Sequence, residues 1–256
     1  MRLNCAALTD TGVRRTANED NYCVREDLGL FVVADGMGGH VAGEVAARVA
    51  VEELERFVTS TKNTGPSDTW PVLLDPTLGQ NGNRLSAGMT EANHQIAAQI
   101  KRDENLQGMA TTAVAILANG KPPALAHVGD SRAYLLRNKE LSRLTRDHSW
   151  VEEQMRAGAL TPEVARDHPW RNIVTRALTG TPGLEVEVAE NFQLGLADRL
   201  LLCSDGLTTV LSDEVIATVL TSDLGLQNVC EELIRQANEQ GGPDNITVVL
   251  IDVDAL

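Results

Sequence analysis

Four aspartates each close an apolar run, beside glycine, serine or asparagine. They are Asp35 in Phe31-Val32-Val33-Ala34-Asp35-Gly36, Asp130 in His127-Val128-Gly129-Asp130-Ser131, Asp205 in Leu202-Cys203-Ser204-Asp205-Gly206, and Asp244 in Gly242-Pro243-Asp244-Asn245, just ahead of Ile246-Thr247-Val248-Val249-Leu250-Ile251. Apolar runs of this length, bounded by turn residues, read as buried strands. A carboxylate at the mouth of a buried sheet is costly unless its charge is compensated. Four gathered together would repel one another unless a hard cation neutralised them. The economical reading is a divalent-metal cluster.

Two simpler readings compete. Asp-Gly is the favoured dipeptide of a hairpin turn, but Gly36 leads into Met37-Gly38-Gly39-His40 and a helix, and Gly206 leads into a second helix. Neither is flanked by a second alternating strand. A phosphate-cradling loop at 36–43 matches neither the P-loop nor the dinucleotide spacing, and no Lys-Ser/Thr follows. Glycine there permits close backbone approach, so that the Gly36 carbonyl could itself face a metal. Upstream, Arg14-Arg15-Thr16-Ala17-Asn18-Glu19-Asp20 sets two acids beside a basic pair. Taken with the aspartates, it offers oxygen ligands or water-holders (Glu19, Asp20) next to a guanidinium, whose planar fork grips phosphate oxygens.

The elements that must position these residues follow from periodicity. Short strands are expected at about 4–9, 21–25 and 30–34, then helical stripes over 43–58 and 85–102. Strands return at 111–117, 124–128, 133–136 and 141–144, and again at 186–190, 200–203 and 246–253, with helices at 212–220 and 229–238. Ser149-Trp150-Val151-Glu152 is a capping box, and Thr161-Pro162-Glu163 an N-cap with proline at the first helical position. Short helices inserted there suggest a flap over one end of the sheets, at about 146–180. Many strands with few βαβ alternations give an α+β fold, two antiparallel sheets with helices on both outer faces. No internal repeat or linker divides residues 1–256, so one domain is expected.

Composition bounds the function. A net charge of −14 argues against nucleic acid and anionic membrane surfaces. Cys5, Cys23, Cys203 and Cys230 form no Cys-x-x-Cys pair and read as buried thiols of a reducing compartment. No signal peptide or bilayer-spanning stretch is evident, which reads as cytoplasmic, or as the soluble piece of something larger.

In order along the chain, Arg15…Asn18-Glu19-Asp20, Asp35-Gly36-Met37-Gly38-Gly39-His40, Gly108-Met109-Ala110-Thr111-Thr112, His127-Val128-Gly129-Asp130-Ser131-Arg132, Ser204-Asp205-Gly206-Leu207 and Gly241-Gly242-Pro243-Asp244-Asn245-Ile246-Thr247 resemble the motif series of the PPM, or type 2C, metal-dependent Ser/Thr protein phosphatases. The resemblance runs from about residue 3 to 253 and is to the compact bacterial branch. It implies a four-layer αββα sandwich with Mg²⁺ or Mn²⁺ at one end of the central sheets. Asp35 would bridge two core metals, Asp205 and Asp244 would complete the first, and the Gly36 carbonyl would join the second. Glu19 and Asp20 would stand close by, directly or through water. Asp130 with Asp205 matches the positions of a possible third metal. Arg15, five residues before Asp20, would bind the substrate phosphate.

Two cations about 4 Å apart can share a water and lower its pKa, and the resulting bridging hydroxide would attack phosphorus in line. No Cys-x₅-Arg signature exists, which excludes a phosphocysteine route. Met37 stands where eukaryotic members carry histidine. His40 could instead protonate the leaving alkoxide, as could a metal-bound water. Ala110 replaces a usual glycine, a packing change. His168, in His168-Pro169-Trp170-Arg171, lies in the flap and offers either substrate contact or packing. His127 reads as a satisfied core histidine and His148 as a hydrogen-bonding residue. The expected substrates are phosphoserine and phosphothreonine proteins, with a cognate bacterial Ser/Thr kinase opposed and the protein a monomer. The alternative is a catalytically silent regulatory or binding module of the same fold, which would typically lack Asp35, Asp205 or Asp244.

Overall fold

A computed structural model of the chain describes residues 2–38, 41–65, 68–166 and 168–255. The strands are β1 (Arg2–Asp10), β2 (Asp20–Arg25), β3 (Leu30–Met37), β4 (Ala110–Thr111), β5 (Ala113–Leu117), β6 (Ala124–Val128), β7 (Arg132–Arg137), β8 (Glu140–Arg143), β9 (Glu187–Ala189), β10 (Arg199–Cys203) and β11 (Ile246–Ala255). The helices are α1 (Val41–Thr61), α2 (Gln80–Arg102), α3 (Trp150–Arg156), α4 (Pro162–Arg166), α5 (Asp205–Thr208), α6 (Asp213–Leu220) and α7 (Leu226–Glu239). One antiparallel sheet runs β1-β11-β10-β7-β8. The other runs β2-β3-β5-β6-β9, with β4 beside the end of β3.

Side-chain alternation explains why the sheets stack. Phe31 and Val33 of β3 meet Leu200 and Leu202 of β10 and Val249 and Ile251 of β11 in the layer between the sheets. Their neighbours Leu30, Val32 and Ala34 face the other way, onto α1 and α2 through Leu54, Leu85 and Met89. On the opposite outer face, Leu201, Val248 and Leu250 pack against Ile216 of α6 and Leu233 and Ile234 of α7. Because both faces of each sheet are covered, the strands read as continuous apolar runs instead of alternating ones. The result is the expected αββα order. Each fully buried Leu, Val or Ile contributes about 1.5–3 kcal/mol of burial free energy, so three such layers fix the strand ends firmly.

Between β8 and β9 the chain leaves the sandwich. An isolated bridge of Ser149 to Val174 closes the base of this excursion, and a second, Thr111 to Leu178, ties it back to β4. The Ser149 hydroxyl caps α3 by accepting the Glu152 N–H (3.4 Å), as the capping box requires. Trp150 stacks on His168 with centroids 4.8 Å apart, and meets Trp170 edge-on at the same separation. No helix among the described residues is long and apolar enough to cross a membrane.

Candidate metal centre

The two sheets bring their strand ends together at one mouth of the sandwich. Register between β2 and β3 sets Asp20 directly opposite Asp35. From the other sheet, β10 runs out into Ser204 and Asp205, while Asp244 and Asn245 precede β11. Polar side chains lock these ends to one another. The hydroxyls of Ser204 and Thr247 both donate to Asp20 Oδ2, each at 2.7 Å, across the gap between the sheets. Asn245 accepts the Glu19 N–H at 2.8 Å and donates to the carbonyls of Thr11 and Ala17, stapling the 11–19 loop to the start of β11. The Thr112 hydroxyl accepts the Asp35 N–H (3.1 Å) and is hydrogen-bonded to Ser131 (2.7 Å), linking Asp35 to the Asp130 turn.

Glycine is required at two of these crossings. A Cβ on Gly36 would stand 2.2 Å from the Gly43 carbonyl oxygen and 2.5 Å from that of Glu19. One on Gly206 would stand 2.0 Å from the Asn245 oxygen. Glu19 is threaded as tightly: its Oε2 lies 1.9 Å from where a Gly43 Cβ would be, at the start of α1.

Burial shapes the electrostatics. Desolvation pushes Asp20 up to about 7, against the two hydroxyls that favour its anion and with Asp205 and Asp244 adding repulsion. Asp205 rises to about 6 from burial and Asp244, and Asp130 to about 8 from burial, Asp205 and Asp147. Asp35 is carried well above the usual carboxylate range by burial and then by its four neighbours Asp20, Asp205, Asp130 and Asp244. Among the described residues, Asp20 Oδ1 and Asp205 Oδ1 are buried with no hydrogen-bond partner. Protein side chains normally satisfy such atoms. Orphaned carboxylate oxygens in an all-oxygen, like-charged cluster fit hard divalent cations.

Arg15 reaches this mouth from the stapled loop and donates to Asp244 Oδ2 at 2.7 Å, with half of its side chain exposed. His40, and Gly39 before it, lie outside the described residues. His168 is set apart from the carboxylates in the aromatic group with Trp150 and Trp170, and its Nδ1 accepts the Trp170 N–H at 3.1 Å. Residues that sequence reasoning quotes without a role turn out to hold the ligand positions: Ser204, Thr247, Asn245, Thr112 and Ser131. For Ser204, Thr247, Asn245 and Ser131 the signal was position alone, since each sits one to three residues from an aspartate of the cluster; Thr112, 77 residues from Asp35, had none.

A second group, His127, His148 and Glu187, has ligand atoms within 4.8 Å of one another. His127 is buried, as expected of a core histidine, but it is only half satisfied. Its Nε2 meets the Arg146 carbonyl at 2.8 Å, while Nδ1 has no partner among the described residues. His148 Nδ1 accepts the Gly129 N–H at 3.1 Å, so its proton belongs on Nε2, which faces Glu187 at 3.2 Å. That tautomer offers His148 no free lone pair for a metal. Desolvation holds both imidazoles below their ordinary values, hence neutral. The pair is a stacked support for the Asp130 turn.

All four thiols are free. Burial pushes each of them up to about 12, which makes them inert.

The sequence model of the protein phosphatase 2C family matches residues 13–250. The serine/threonine protein phosphatase PstP of Mycobacterium tuberculosis is 41% identical over 255 residues, which cover 98% of this chain and 45% of that protein. The chain thus spans about half the length of that relative. Protein phosphatase PhpP of Streptococcus pneumoniae is 36% identical over 258 residues, with 98% of both chains covered. Among solved structures, the PstP catalytic domain in complex with two manganese ions superposes with a TM-score of 0.81 at 37% identity, covering 99% of each chain.

Proposed function

The chain belongs to the protein phosphatase 2C family, and from that membership we propose that it is a metal-dependent phosphatase of phosphoserine and phosphothreonine in proteins. The observation that carries the proposal is the buried carboxylate cluster with two orphaned oxygens, Asp20 Oδ1 and Asp205 Oδ1. This donor set suits two core Mg²⁺ or Mn²⁺ ions, and the two manganese ions of the PstP structure support that number. Asp35 would hold both ions, Asp205 and Asp244 the first, and the Gly36 carbonyl the second. Glu19 and Asp20 would stand close by, and Asp130 with Asp205 would hold a looser third. When bound, the cations supply a water acidified toward neutrality and Lewis-acid stabilisation of phosphoryl charge.

The chain's own groups do the positioning. Asp244 holds one end of the Arg15 guanidinium, which orients the fork and leaves its other N–H groups to bind the phosphate oxygens. Ser204 and Thr247 aim Asp20 by occupying Oδ2 and leaving Oδ1 toward the cluster. His40 is the candidate donor to the leaving alkoxide. Residues 146–180 are assigned as a flap on the single domain 1–256, and His168 contributes to substrate binding through the flap it anchors. The proposal extends to a cytoplasmic monomer that opposes a Ser/Thr kinase; the free cysteines suit a reducing compartment, and the net charge of −14 disfavours nucleic acid and anionic membrane surfaces.

Hydrolysis of p-nitrophenyl phosphate tests the reading. Turnover that requires manganese and is abolished both by EDTA and by Asp35→Ala is expected. No turnover with manganese, or turnover that survives both treatments, overturns it. The catalytically silent alternative has no observation in its favour, because an acid occupies every expected side-chain ligand position.

A further inference from the structure

Beside the carboxylate cluster, a cleft of about 830 Å³ opens between the flap and the β7, α5 and α6 side of the sandwich, with Asp130 and Asp205 at its inner end. The chain carries 36 acids against 22 lysines and arginines, whereas this cleft is lined by six arginines, no lysine and six acids, a balance the rest of the chain lacks. Two of the arginines are already engaged. Arg132 forks onto Asp147 at 2.7–3.1 Å, and Arg143 lies 3.7 Å from Asp147 and 3.6 Å from Glu152. The other four, Arg146, Arg156, Arg166 and Arg171, are exposed and make no ion pair among the described residues.

The acids of the cleft offset these four only in part. Asp147 and Glu152 are taken by Arg132 and Arg143, and Asp130 and Asp205 belong to the metal cluster. Asp213, which accepts the Tyr134 hydroxyl at 2.9 Å, and Glu214, hydrogen-bonded to Ser212 and held below its ordinary value partly by Arg166, leave a surplus of two guanidiniums. The wall that carries these arginines is pinned at its base by the Ser149–Val174 bridge and by the Trp150–His168–Trp170 stack. Val151 and Met155 supply an apolar floor. Unpaired guanidiniums on a fixed wall, one cleft-length from the reaction centre, favour a planar anion.

We propose that this cleft is an anion subsite, which takes an acidic side chain or a second phosphate flanking the scissile phosphoresidue on the same polypeptide. The inference rests on the phosphatase reading above. Carboxylate and phosphate share the recognising chemistry, so the test carries both.

Three phosphothreonine peptides are compared with manganese-loaded protein: one with neutral flanks, one with glutamates, and one with a second phosphothreonine. The anionic peptides are expected to show a kcat/KM at least about tenfold above the neutral one, carried by KM and shrinking with added salt. In the double variant Arg156→Glu/Arg171→Glu that advantage is lost, while p-nitrophenyl phosphate turnover changes less than about twofold. Binding of a phosphonate analogue of the glutamate peptide, read by fluorescence anisotropy, should weaken in parallel. An advantage confined to one anionic arm identifies the ligand as carboxylate or phosphate and supports the subsite. Equal turnover of all three peptides by the unaltered protein overturns it, as does equal loss on all three in the variant. Absence of manganese-dependent p-nitrophenyl phosphate hydrolysis would instead strike the phosphatase reading beneath it.

Discussion

Strands β10 and β11 have aspartates at both ends, and the two ends treat them in opposite ways. At one end Asp198 exposes 2% of its side chain, yet it stays below the usual carboxylate range. Burial pushes it up, but the Arg137 fork at 2.9 and 2.6 Å and the Gly195 N–H at 2.6 Å outweigh that push. Asp252, on the same edge, receives a matching fork from Arg199 at 2.7 and 2.8 Å. At the other end, seven residues after Asp198, Asp205 is raised to about 6 and keeps an oxygen with no partner. The residue type and the strands are shared. What differs is whether the chain supplies the countercharge itself. A buried acid with its own arginine is a structural fastening; a group of acids that shares only the half-exposed Arg15, on Asp244, is a site built for something the chain does not encode.

The sharpest way to break this contrast is to neutralise one acid at each end. Asp205→Asn should lower manganese-dependent turnover by about a thousandfold, the several kcal/mol that metal stabilisation of phosphoryl charge supplies. The metal-free protein should not lose thermal stability, since the change removes repulsion. Asp198→Asn should do the reverse: kcat unchanged, and stability lower by about 1–3 kcal/mol, because Arg137 loses its charged acceptor. Activity assays paired with thermal melts in EDTA check both. Melting points that fall equally in the two variants would show that the ends are equivalent.

The contrast was only half legible in the sequence. Strand-end aspartates beside glycine announced themselves, because a carboxylate that terminates an apolar run is anomalous wherever it falls. The αββα layering was legible too, from long apolar runs and the stripes of α1 and α7. The countercharges were not. Arg137 and Asp198 are separated by 61 residues, and Ser204 and Asp20 by 184. Pairings between strands distant in sequence leave no period and no spacing to read. The four unpaired arginines of the cleft, scattered from 146 to 171, were likewise invisible as a group until the flap folded back over α6. The turn between β7 and β8 was expected from the strands on either side, but not its type, with φ of 53° at Asn138 and 68° at Lys139. Neither residue is glycine, although a two-residue turn of this hand usually has one.

A smaller effect probes how the metal end is held. Ser204→Ala removes one of the two hydroxyls that favour the Asp20 anion, and its oxygen also accepts the Thr247 N–H at 2.9 Å. Losing a partner of this kind typically weakens metal binding by about 10–100-fold. Calorimetric titration with manganese should show that loss, with kcat at saturating metal much less affected. An unchanged affinity would mean that Asp20 needs no aiming and that the hydroxyls serve only to join the two sheets.

The subtlest consequence is a difference in the sign of pH dependence. Asp20, Asp130 and Asp205 hold their protons up to about 7, 8 and 6, above the ordinary value of 3.8 that applies to the unfolded chain. Their folded forms therefore bind protons that the unfolded chain has released. The stability they contribute is fully present below about pH 4 and is lost as pH rises through 6 to 8. Asp198 works the other way: its contribution is present above the ordinary value and is lost as pH falls through its depressed folded value. In EDTA, melting temperature should thus decline from pH 5 to 8. With saturating manganese the decline should vanish or reverse, since the cation displaces those protons and binds more tightly as they leave. Asp205→Asn should flatten the EDTA slope, and Asp198→Asn should leave it intact. A slope that persists unchanged with manganese would mean that the protons it reports do not belong to the metal end.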